Sequence, residues 1–86
     1  MLSFPNRSRV YDLTRRAVRF WGHDNAMEWS FFVTEEALKR LQPGVGRDEA
    51  DLLDAFDCNR TAIYAAATKA YRRGPKGSYE LAVADF

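Results

Sequence analysis

Eighty-six residues, 47% apolar and 14% aromatic with a net charge of +1, describe one folded domain and exclude a disordered chain. The lone cysteine, Cys58, excludes an intramolecular disulfide framework and suits a reducing compartment. No apolar run nears the ~20 residues that span a bilayer, and arginines interrupt the N-terminal region where a secretory leader would be apolar; a soluble, cytoplasmic protein is expected.

Met1–Phe4 reads as a short strand with Leu2 and Phe4 on one side, stopped by Pro5, which cannot donate to a ladder. Asn6–Asp12 reads as a polar connection anchored at Tyr11. Arg16–Trp21 alternates, with Val18 and Phe20 on one face and Ala17, Arg19 and Trp21 on the other. Gly22-His23-Asp24-Asn25 has turn composition, and Ala26–Val33 resumes as a strand with Met27, Trp29, Phe31 and Val33 on one face, so a hairpin is predicted.

Thr34 is an N-cap candidate, with Glu35 and Glu36 in the first turn of a short helix reaching Leu41. Pro43-Gly44-Val45-Gly46 ends it. Asp48 is a second cap candidate, opening a helix predicted to run to Arg73 with an apolar stripe at Leu52, Leu53, Phe56, Ile63, Ala67, Ala70 and Tyr71. Gly74 takes the C′ position and Pro75 blocks continuation. Such a helix would be about 37 Å long at roughly 1.5 Å per residue, against about 30 Å for a domain of this size, so it overhangs, bends or finds a partner. Tyr79–Asp85 alternates as a final strand. Strands first and helices later imply a two-layer α+β domain, ordered β-β-β-α-α-β, with an antiparallel sheet of about four strands and both helices on one face.

Several of these stretches share wording with one family. Leu2-Ser3-Phe4-Pro5 with Tyr11-Asp12, Ala17-Val18-Arg19-Phe20, and Phe32-Val33-Thr34 running into Ala37-Leu38 are among them. Ala55-Phe56 with Arg60, Ile63 and Tyr71, and the closing Asp85-Phe86, complete the pattern. Together they resemble the bacterial domain of unknown function family 1488 (DUF1488) over essentially the whole chain. The resemblance implies a stand-alone small bacterial α+β protein and brings no catalytic residue with it.

The residues themselves argue against catalysis. One histidine and one cysteine leave no nucleophilic or metal constellation, so no enzyme, cofactor or metal is expected. His23 reads as a solvated turn residue beside Asp24. Cys58 sits beside Asp54 and Asp57, whose charge disfavours a thiolate. Asp48, Glu49, Asp51, Asp54 and Asp57 lack calcium-loop spacing and read as a dipole-matched helix face.

Charge is uneven: residues 1–23 carry +4, residues 24–57 carry −6 and residues 58–86 carry +3. A basic surface built from the two ends of the chain is one consequence. Arg19 and Trp21 share a strand face, Phe32 is placed on the neighbouring strand, and Arg15, Arg72, Arg73 and Lys76 would form a positive rim. That surface suits a protein partner, or alternatively nucleic acid, where aromatics stack bases and arginines hold phosphates. A pI of 7.9 is low for the latter. Arg60 interrupts the helix stripe, and Asp85 is its expected partner if buried. Ala65 and Ala66, not needed for the stripe, could seat a second copy in a homodimer. The expectation is a non-enzymatic binding or accessory protein that acts through protein contacts.

Overall fold

Alternation at residues 17–34 does form a hairpin, but its turn falls later than its composition suggested. β1 (Val10–Asp12), β2 (Ala17–Asp24) and β3 (Met27–Thr34) lead into α1 (Glu35–Leu41), α2 (Glu49–Cys58), α3 (Arg60–Arg72) and β4 (Ser78–Leu81), with a closing 3-10 turn at Val83–Asp85. This computed structural model describes residues 1–74 and 77–86. The expected roles of Pro75 and Lys76 lie outside the described residues.

The β2–β3 turn is Asn25-Ala26, with Asn25 at φ +56, a conformation asparagine tolerates. Gly22, His23 and Asp24 belong to β2 instead. Gly22 is there because other side chains crowd it: a Cβ would lie 2.9 Å from the Phe31 ring and 3.0 Å from Leu2 and Phe4. Its turn-like character in sequence was misleading. The predicted strand Met1–Phe4 reduces to one antiparallel bridge, Ser3 with His23, closed by two 2.8 Å backbone hydrogen bonds. The true edge strand is β1, inside the expected polar connection, and Tyr11 anchors it against the core.

Strand order is β1-β2-β3-β4, and the sheet is mixed: the first three strands are antiparallel, while β4 runs parallel to β3. The α+β layering stands, but the wholly antiparallel sheet does not. The helices form a crossover that returns the chain in the direction of β3, the connection parallel neighbours require. β4 stops at Leu81, where the sequence extended it to Asp85; Asp85 instead accepts the Ala82 N–H at 2.8 Å and tightens the 3-10 turn.

Thr34 caps α1 as predicted, its Oγ1 accepting the Ala37 N–H at 3.1 Å. Asp48 sits at the N-cap of α2 but makes no side-chain cap bond. The single long helix is broken at Asn59 (φ −120, ψ 22), whose amide donates to Ala55 O at 2.7 Å and Gln42 Oε1 at 3.1 Å. The break replaces the one long helix with helices of 10 and 13 residues, in a molecule that measures 36 Å on its longest axis and 23 Å on the others. α3 ends at Gly74, whose φ of +139 suits a residue without a Cβ.

Inward side chains of β2, β3 and β4 meet the helices in one core of Val18, Phe20, Phe31, Val33, Leu81, Leu38, Leu52, Phe56 and Ile63, all essentially inaccessible. Each such side chain is worth roughly 1.5–3 kcal/mol of burial. Phe20 lies 5.4 Å from Phe31 and 5.1 Å from Phe56, and Phe4 stacks on Tyr64 at 4.1 Å, carrying the N-terminal segment onto the same core. Ala66, expected to be spare, is core at 5% exposure. Leu53, Ala70, Tyr71 and Trp29 pack at its margin.

Candidate interaction surface

The helices seal one side of the sheet, and the other side carries the polar alternation of the strands. Arg19 of β2 stands directly opposite Phe32 of β3, and Trp21 opposite Ser30. The Arg19 guanidinium spans both rings, 5.2 Å from Trp21 and 5.6 Å from Phe32, and donates to Ser30 Oγ at 2.9 Å. Arg15 reaches across from the β1–β2 turn and stacks on Phe32 at 4.1 Å. Its position is set by Asp12, whose Oδ1 accepts the Arg15 N–H at 3.0 Å.

Phe32 is thereby only 5% exposed, so the expectation of a surface ring is corrected: its face is covered by guanidinium groups. Among the described residues neither Arg15 nor Arg19 has a carboxylate within ion-pair distance. Each such stack contributes only about 0.5–1 kcal/mol when exposed. Arg72 and Arg73 do not join them. Both close α3 in the helix layer, Arg72 beside Leu2, Asp24 and Tyr71, and Arg73 3.3 Å from Asp85.

The sequence left the burial of Arg60 open; 11% of its side chain is exposed, and its acid is Asp57 at 2.7 Å, not the expected Asp85. It also donates to Arg7 O at 2.8 Å and to the Tyr64 hydroxyl, and lies 4.8 Å over the Phe56 ring. Arg9 completes the cluster on Asp57 at 2.8 Å. Burial acts against the Asp57 charge, but the Arg9 and Arg60 hydrogen bonds outweigh it and hold its pKa below the ordinary aspartate value. His23 lies on β2, 3.0 Å from Glu28 across the ladder, and not in a turn.

One region escaped the sequence reading. β1 is an edge strand, and Val10 and Leu13 at its ends are 52% and 73% exposed. With Tyr11, Asp12, Arg19 and Trp21 they enclose a hollow of about 310 Å³ on the outer side. On the other side of the same strand, Tyr11, Arg16, Glu35, Lys39 and Arg47 help line a polar cleft of about 670 Å³. Glu35 is 7% exposed and only 3.7 Å from Arg16, a residue at φ +49. Burial, followed by the Glu35 charge, raises the Tyr11 pKa above that of a free tyrosine, with Arg16 opposing. The period-two run at Val10-Tyr11-Asp12 was the available signal, and three residues are too few for it to stand out.

Among the described residues no three His, Cys, Asp or Glu side chains are placed to hold a metal, and no helix is long and apolar enough to cross a membrane. The arrangement defines a class: a small α+β domain whose open sheet has one face sealed by helices and one bearing arginine-capped aromatics. The chain belongs to the family described as "Protein of unknown function (DUF1488)", whose model matches residues 2–83. Among solved structures, a DUF1488-family protein of unknown function from Shewanella loihica PV-4 has the same fold, with a TM-score of 0.82 at 17% identity over 93% of this chain and 90% of that one. No curated protein matches it in sequence.

Proposed function

We propose that the protein is a non-catalytic binding or accessory protein of the bacterial cytoplasm, presenting the outer sheet face around Arg15, Arg19 and Trp21 to an acidic protein surface. The observation that supports this is the pair of aromatic-stacked guanidinium groups that, among the described residues, have no carboxylate within ion-pair distance. Their side chains are already held in place, so little ordering cost remains when a carboxylate arrives, and Arg and Trp are the residues that most often dominate interface energetics. The protein reading is favoured over nucleic acid because Arg15 covers the Phe32 face on which a base would stack.

A photo-crosslinking residue at position 21 tests the reading in cells. The expected product is a protein adduct that disappears when Arg15 and Arg19 are changed to Glu. Crosslinking no stronger than from a control at Ala50, exposed on α2, would overturn it. Salt-steepened binding of a single-stranded oligonucleotide, weakened in Trp21→Ala, would replace it with the nucleic-acid reading. Self-association through exposed Ala62 and Ala65 is the dimer version of the proposal, read out by light scattering.

A further inference from the structure

We propose that β1 is a docking edge for an extended, acidic segment of a partner protein, added to the sheet as a fifth strand; this rests on the binding reading above. β1 ends the sheet order, so among the described residues no strand lies beyond its outward edge. Proteins usually protect such an edge by keeping it short or with lysine, proline or a bulge; β1 is short, at three residues, but has neither lysine nor proline. Here it carries Val10 and Leu13, half-exposed or more, and its one charge, Asp12, is engaged by the Arg15 N–H.

The surroundings specify the occupant. Side chains of an added strand alternate between faces. On the outer face they would meet the hollow that Val10, Asp12, Leu13, Arg19 and Trp21 line, with Arg15 farther in over Phe32 and, among the described residues, no carboxylate within ion-pair distance of either arginine. That face fits an apolar anchor flanked by carboxylates. On the opposite face they would enter a cleft of mixed charge, where Arg16, Lys39 and Arg47 lie among Glu35, Glu36, Asp48 and Glu49, which takes polar side chains of either sign. Strand addition supplies affinity through the main chain, and these two hollows supply selectivity.

The full-length chain, immobilised and used to select from a phage-displayed library of random peptides, tests this. Enrichment of sequences with acids two residues either side of an apolar residue is expected. A synthetic copy of a selected peptide should shift or broaden the amide resonances of Val10–Leu13. N-methylation of alternate peptide nitrogens should weaken binding by roughly tenfold or more while side chains stay the same. Leu13→Lys, at a site exposed enough to leave the fold intact, should have a similar effect. No enrichment, or indifference to N-methylation, overturns the docking edge. If selected peptides map to Arg19 and Trp21 alone, the edge falls and the outer-face reading stands. If Leu13→Lys abolishes binding while Arg15→Ala and Arg19→Ala do not, the outer-face reading falls and the edge stands. Dimerisation through two β1 strands would also overturn the proposal.

Discussion

The two faces of one hairpin have opposite chemistry. Inward, Phe20 and Phe31 stack on each other and are covered by Phe56, so ring meets ring and no polar atom needs a partner. Outward, Trp21 and Phe32 are covered by Arg19 and Arg15, so ring meets cation and, among the described residues, neither donor-rich fork has an acid within ion-pair distance. Alternation places the rings on opposite faces; what covers each ring decides whether it serves stability or recognition. The inner face should therefore respond to mutation in melting temperature, and the outer face in binding.

The largest effect expected is Phe56→Ala, which empties the centre of the inner face and should cost about 3–5 kcal/mol, a drop of more than ~12 °C in thermal melting or outright unfolding. A loss below ~1 kcal/mol would show that the core repacks freely and blur the contrast between faces.

Arg60→Ala comes next. It strands the Arg7 carbonyl and the Tyr64 hydroxyl and uncovers Phe56, at about 2 kcal/mol by denaturant titration. The same cluster has a pH signature. The Asp57 pKa is lowered on folding, so its contribution is present above the unfolded value near ~3.9 and is lost as pH falls through the lower folded value. Melting curves below about pH 4 should fall less steeply in Asp57→Asn than in wild type; equal slopes would remove Asp57 from the account.

Gly22→Ala drives a methyl into Phe31, Leu2 and Phe4 and should cost about 1–3 kcal/mol, although a turn glycine at negative φ would accept alanine without loss. Thr34→Ala should cost about 1 kcal/mol through the lost cap. Smallest of all, Arg15→Ala and Arg19→Ala should move stability by no more than ~0.5 kcal/mol each while weakening partner capture. A large stability loss there would recast the outer stacks as structural.

The hairpin, both helix caps with candidate residues in place, the Gly74 stop and the inward residues were legible because each rests on near-neighbour rules: period two, a hydroxyl before an acidic turn, a residue without a Cβ. Trp21 with Arg19 was also legible, as neighbours on one strand face. Less so was Phe32, whose exposure depends on an arginine seventeen positions earlier reaching over it. Arg72 and Arg73 share the sign of that surface but not its layer. Charge counted along the chain does not know which side of a sheet it will reach.

Local chemistry thus determined the β2–β3 hairpin, the start of α1 and which of their side chains point inward, because those choices depend on steric and hydrogen-bonding rules that act within a turn or a strand. Only the tertiary structure decided that Gly22 makes room for Leu2 and Phe4, that Asn59 breaks the helix against Gln42, that β4 runs parallel to β3, and that Val10–Asp12 forms the open edge. Each of those depends on groups far apart in sequence competing for one space, and the outcome is fixed by packing and hydrogen-bond geometry that only the folded chain brings together.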